Sequence, residues 1–221
     1  MEQTKKHVPL SVLLVYFLLF SGAWTAAELL LKDRLFPENA VLMTLMRDGI
    51  LKNLIWTLPA VLLVRRYADC MLVRLKEMFT NKIPWGRLLA ALAAVTAYLL
   101  FSAYRTHGRL AVQPSFGLDK LLIVLFVGIT EEMVFRGWLL NATARHDDDF
   151  IAMGINALMF LCIHFPIWIH DGKFVHTMTH LGFVMIIILS FMFSTVFLKT
   201  KNLLAPILLH MLWDLLVFMF C

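Results

Sequence analysis

Charge is what this chain has least of. Asp, Glu, Lys and Arg make up 16% of its 221 residues against 61% hydrophobic, and the mean hydropathy is +0.79. A soluble globular domain is about a quarter charged and nearly half apolar. Too little polar surface exists here to cover a water-soluble domain, so the composition reads as a polytopic membrane protein. Cysteine is scarce too. Cys70, Cys162 and Cys221 form no CxxC and no pairing pattern, which speaks against a disulfide framework and a thiolate metal site. Internal repeats, low-complexity tracts and a separate soluble stretch are all missing, so the expectation is one membrane-embedded domain over residues 1–221. The net charge of +5 is spread over connections between apolar runs. Nucleic acid is therefore not an expected partner; the basic residues are expected to set topology and touch anionic membrane lipid.

A helix needs about 20 apolar residues to cross a bilayer. Seven stretches qualify: 8–31, 50–64, 88–104, 118–141, 150–169, 181–198 and 203–221. The expected fold class is an all-α polytopic transmembrane helix bundle of about seven spans, or eight if 40–46 forms a re-entrant piece. The first run continues to Leu31 without a small-residue cleavage site, so it is expected to be retained rather than removed as a signal peptide. Glu28 is expected near a solvated span end, and Lys52 and Asn53 at an interface. The basic, apolar mixture of 65–87 suits an amphipathic surface helix. With seven spans, eleven Lys and Arg (Lys5, Lys6, Arg65, Arg66, Arg74, Lys76, Lys82, Arg87, Arg145, Lys199, Lys201) fall on one side against eight on the other. The positive-inside rule then puts the N-terminus in the cytoplasm, with the plasma membrane as the expected location.

The fourth span poses the chemical problem. "ITEEMVFRG" sets two glutamates and an arginine in a segment otherwise fit for hydrocarbon, where each charge costs at least about 2.5–3.5 kcal/mol. Glu132 and Arg136 are four apart, share a helix face and can pair. Glu131 points about 100° away from Glu132, and is left free for acid or base chemistry. The fifth span holds His164 in "FLCIHFP", with Phe160 one turn before it and Pro166 loosening the helix after it. The seventh holds "HMLWD", in which His210 and Asp214 project from one face. Two carboxylates and two histidines on separate late spans can activate water, or hold a divalent metal with an open position.

Each fragment alone has an ordinary reading. Glu132–Arg136 can be a structural clasp, His164 an interhelical hydrogen-bonder and His210–Asp214 a satisfied polar pair. Their conjunction on three spans favours a functional site. His176 and His180 have chelating spacing but follow a span boundary. Asp147–Asp149 suits a helix N-cap and acidic first turn.

The order and spacing of "EEMVFR", "FLCIH" and "HMLWD" resemble the CPBP family, intramembrane proteases that comprise CAAX prenyl endopeptidases and bacteriocin-processing or immunity (Abi) proteins. The resemblance covers about 118–221, which it marks as the catalytic core. It implies that Glu131 deprotonates the attacking water and that His164 holds that water. It also implies that His210 and Asp214 stabilise the oxyanion, and that Glu132, Arg136 and Phe160 support the site. Asp214 stands where the family often has Asn; an ionised Asp cannot donate to an oxyanion, so Asp214 must either be protonated or instead orient His210. If a divalent metal such as zinc takes part, Glu131, His164 and His210 are its ligand set. The metal-free account is preferred, because Glu131 does not easily serve as both ligand and base. The expected activity is an intramembrane endopeptidase acting on a lipidated or membrane-associated protein or peptide: a CAAX tail, or a leader, bacteriocin or pheromone precursor. Two alternatives are a non-catalytic immunity or membrane-sensor partner, and a proton-coupled transporter. Against the transporter, no paired broken helices or repeated halves appear.

Overall fold

The structure is a computed structural model that describes residues 7–32, 38–146 and 149–221. It is an all-α membrane bundle, and the described residues contain no strand. Seven long helical stretches account for it: α1 (Leu10–Leu31), α2 (residues 40–66), α3 (Trp85–His107), α4 (residues 118–143), α5 (Phe150–His170), α6 (Gly182–Thr200) and α7 (Leu204–Phe220). Four of them, α1, α3, α5 and α6, are long and apolar enough to cross a membrane; α7 is apolar but shorter. By contrast α2 and α4 carry charge in mid-helix and need partners in the bundle. The exterior of the long apolar helices is greasy: Leu10, Leu14, Leu18 and Leu19 of α1 are 49–68% exposed. Such a surface suits lipid and not water.

The helix α4 is central. Every residue from 130 to 142 is buried, and α4 packs against α2, α5, α6 and α7. Two glycines permit the closest approaches. A Cβ on Gly128 would meet Met211 Cγ of α7 at 2.7 Å, and one on Gly49 would meet the Phe126 ring at 3.1 Å. The core is aromatic: Trp56 and Phe135 both pack on Phe20, Phe135 on Phe160, and Trp138 on Tyr16 and Tyr67.

Several expectations change. Residues 40–66 form one continuous helix, so the re-entrant piece is simply the start of α2. Its charges do not interrupt it because they find partners inside the bundle. The 65–87 stretch is not an amphipathic helix: it holds only a short 3-10 turn, Ala68–Cys70, and a single turn, Glu77–Thr80. Tertiary hydrogen bonds tie it down instead. Asn141 accepts from the Val73 N–H and donates to the Val73 carbonyl, both at 2.8 Å. Asn81 donates to the Lys201 carbonyl, and the Leu203 N–H to the Met78 carbonyl. The α5 helix breaks at residues 163–164, ahead of Pro166 as expected, and Trp24 donates its ring N–H to the freed Ile163 carbonyl at 3.2 Å. Asp149 caps α5, accepting from the Ala152 N–H at 3.0 Å. Asp147, Asp148, Lys5 and Lys6 lie outside the described residues.

Candidate active site

The three motifs meet around the middle of α4. Glu132, fully buried, accepts at one oxygen from Arg136 Nη1 (3.0 Å) and from His210 Nδ1 (2.8 Å). A carboxylate only accepts, so this contact assigns the His210 proton to Nδ1 and turns Nε2 the other way. There Asp214 lies 3.5 Å off, an ion-pair distance but a long hydrogen bond. The Asp214–His210 pairing anticipated from the sequence is thus the weaker of two; Glu132 is the closer partner of His210. Nor does Arg136 grip Glu132 with both arms. Its Nη2 donates instead to the Ser190 carbonyl (3.0 Å) and hydroxyl (2.8 Å) on α6. The guanidinium sits 4.7 Å from the Phe160 ring centroid and 5.3 Å from that of Phe193, a cation–π cage that offsets part of the burial cost. Phe193 also stacks on His210 at 4.7 Å.

His164 lies at the α5 break. Its Nδ1–H donates to the Phe160 carbonyl at 2.8 Å, which turns Nε2 away from that carbonyl. The ring packs on Phe160 and Trp168. Glu131 points away from Glu132, as its helical offset predicts. No described residue donates a hydrogen bond to it, and it lies within electrostatic reach of His164 and Asp214. Glu131, which accepts no hydrogen bond from a described residue, thus lies in one charged cluster with two histidines of fixed orientation.

A family model described as "Type II CAAX prenyl endopeptidase Rce1-like" matches residues 113–216, an interval that holds every motif residue from Glu131 to Asp214. The match spans just under half of the chain and makes residues 113–216 similar to the Rce1-like type II CAAX prenyl endopeptidase family. No curated protein and no solved structure matches the chain. The resemblance read from the motifs is the same family of CAAX proteases.

Outside the Rce1-like segment the structure adds residues that sequence reasoning missed. Lys52 is not interfacial. It is 4% exposed, with Nζ 3.5 Å from Glu131 Oε1 and 3.3 Å from Asp48 Oδ1. Glu28 is not solvated but fully buried, 3.2 Å from Lys32 and 3.6 Å from Arg47. The signal that was available is the charge within the helix itself: Asp48 and Lys52 are four apart in α2, as Glu132 and Arg136 are in α4. Each π-helical turn in the chain also carries or adjoins one of these charges, at Ala27–Leu31, Leu45–Leu51, Asn53–Thr57 and Met133–Leu140. Such widened turns recur at functional sites. Asn156 satisfies one carbonyl of the last of them, donating to Phe135 at 2.8 Å.

The metal set Glu131, His164 and His210 does not fit this geometry. A catalytic zinc takes three ligands with free lone pairs. Here both His210 nitrogens face carboxylates, and no group of three His, Cys, Asp or Glu side chains suited to a metal occurs among the described residues. No step below is routed through a metal. The other chelating candidates, His176 and His180, stack on each other at 4.1 Å on an exposed turn, with His180 Nδ1 3.0 Å from the His176 carbonyl.

Proposed function

We propose that the protein is an intramembrane endopeptidase that removes a peptide from a prenylated protein C-terminus by glutamate-activated water. The observation that carries this reading is the division of labour between adjacent glutamates. Glu132 is consumed by Arg136 and His210, while Glu131 accepts no hydrogen bond from a described residue and lies within electrostatic reach of both histidines. Glu131 takes a proton from the water as its oxygen bonds to the scissile carbonyl carbon. His164, its Nδ1 engaged by Phe160, accepts from that water at Nε2 and orients it. His210, braced at Nδ1 by Glu132 and stacked on Phe193, carries a proton on each nitrogen and donates from Nε2 to the carbonyl oxygen as charge develops there, and Asp214 orients the ring. The tetrahedral intermediate then collapses, the C–N bond breaks, and Glu131 returns its proton to the leaving amine.

The prenyl group has a candidate berth. An apolar groove of about 540 Å³ runs between α2, the 67–84 segment, α4 and α7, lined by Val61, Phe79, Ile129, Met133 and Ile207. Its volume is in the range of small-molecule sites. Met133 adjoins Glu132, and Ile207 lies one turn from His210. We infer a plasma-membrane setting with the N-terminus in the cytoplasm. Burial removes Arg47 and Lys52 from the eight basic residues counted on the far side and strengthens that charge bias.

The test is cleavage in liposomes of prenylated CAAX peptides, their unprenylated twins and leader-type peptides. The expected result is cutting of the prenylated set, with kcat lowered about 10²- to 10⁴-fold in Glu131→Gln. Preference for unprenylated leader peptides would redirect the substrate assignment. Cleavage that survives Glu131→Gln would remove the mechanism.

A further inference from the structure

We propose that Lys52 is a positioning residue for Glu131: the N-terminal half, which no family match covers, supplies the cation that fixes the catalytic carboxylate. This rests on the protease reading above.

The geometry is a ladder of alternating charge. It starts at the α5 end with Asp171, 3.4 Å from Lys32, and passes through Lys32–Glu28 (3.2 Å) and Glu28–Arg47 (3.6 Å). It continues through Arg47–Asp48 (2.9 Å) and Asp48–Lys52 (3.3 Å) and ends at Lys52–Glu131 (3.5 Å). Only the Asp171 end is appreciably exposed; Glu28, Arg47, Asp48 and Lys52 are all buried. The Lys52 ammonium also lies 4.5 Å from the Trp24 ring centroid and 5.0 Å from that of Trp56. Two indole faces and Asp48 therefore fix it from α1 and α2, leaving one direction in which it contacts a group of the catalytic motifs.

That contact matters because Glu131 has no other tether. Glu132 is held by an arginine and a histidine, whereas Glu131 accepts no hydrogen bond from any described residue. A glutamate side chain has three rotatable bonds, and a base must sit within hydrogen-bond reach of its proton donor. A single ammonium at Oε1 restrains the carboxylate yet leaves its second oxygen for water. An arginine fork of the kind that holds Glu132 would occupy more of it. The other charged groups around Glu131 are His164 from α5, His210 and Asp214 from α7, and Glu132 and Arg136 on its own helix, the last of these engaged by Glu132 and Ser190. Lys52 is the cation at ion-pair distance from it. A buried lysine with only a structural role would be completed by Asp48 alone.

Two measurements on the full-length protein test this. In liposomes with the cleaved peptide, Lys52→Met is expected to lower kcat on the order of 100-fold, the scale of a misplaced reacting group. KM should stay near its wild-type value, because Lys52 touches no substrate, and Lys52→Arg should recover part of the loss. In detergent, a thermal-unfolding cycle of Lys52→Met, Glu131→Gln and the double variant is expected to be non-additive, with the double variant melting above Lys52→Met. Wild-type kcat in Lys52→Met, or a rise in KM that accounts for the whole loss, would overturn the positioning role. Additive melting shifts would overturn the pair itself. If the wild type cleaves nothing, the protease reading fails and the positioning role with it, while the melting cycle still reports whether Lys52 and Glu131 are paired.

Discussion

Arg136 shows how a full charge survives at the centre of this bundle. It reaches Glu132, two acceptors on Ser190 and two aromatic faces. Removing one partner of a buried pair leaves the other charge uncompensated. Arg136→Ala is therefore expected to destabilise the protein by about 3–5 kcal/mol, read as a lowered melting temperature in detergent. Arg136→Lys should recover little, because one ammonium cannot serve both Glu132 and Ser190. Asp149 gives a milder case with a pH signature. Burial alone would raise its pKa, but N–H bonds from Ala152 and Arg145, with the charges of His146 and Arg145, hold the carboxyl below its ordinary value of 3.8. A depressed folded pKa means stability that is present above pH 3.8 and lost as pH falls below it. Acid titration of the melting temperature should show this loss in wild type and not in Asp149→Asn. At this scale Glu131, Glu132, Arg136, His164 and His210 were legible in the sequence, because short helical spacing fixes which neighbours share a face. Lys52 and Glu28 were not. Their partners lie on other helices, and distance from a span end says nothing about what a neighbouring helix brings.

Among the helices, α4 does the organising, and glycine decides how near its neighbours come. Gly128 lets α7 approach so that Met211 occupies the space a Cβ would fill. Gly128→Val should displace Met211, and with it the adjacent His210, costing about 1–3 kcal/mol by overpacking and lowering turnover. Gly22 of α1 is the control, since a Cβ there meets nothing within 4 Å. Gly22→Ala should leave activity unchanged and raise stability by up to about 1 kcal/mol. The α4 helix also anchors the 67–84 segment. Asn141→Leu strips hydrogen bonds from both the N–H and the carbonyl of Val73, and each polar group left buried costs about 1–3 kcal/mol. The expected sign is faster proteolysis between α2 and α3. The helical stretches were readable from hydropathy, but of the seven expected spans four are long and apolar enough to cross a membrane by themselves. The form of 67–84 was not, because its basic and apolar mixture fits a surface helix equally well, and hydrogen bonds to Asn141, Lys201 and Leu203 select the folded-back path.

For the whole molecule, the account joins two halves of unequal pedigree. An Rce1-like segment holds Glu131, His164 and His210, and a preceding segment outside that match supplies Lys52, Trp24 and most of the ion-pair ladder that ends at Glu131. Topology follows from charge. In a cysteine-free background, a cysteine at Arg145 should react with an impermeant reagent from the cytoplasmic side and one at Ser115 only from the opposite side; the reverse pattern would invert the orientation. The central claim is hydrolysis by Glu131, and one measurement meets it directly. A prenylated CAAX peptide is incubated in ¹⁸O-enriched water with wild type and with Glu131→Gln, and the products are weighed by mass spectrometry. The expected result is a product whose new carboxyl terminus carries ¹⁸O with wild type, formed at least about 100-fold more slowly by Glu131→Gln. Labelled product from Glu131→Gln at the wild-type rate, or no product from a folded wild-type protein, would contradict it.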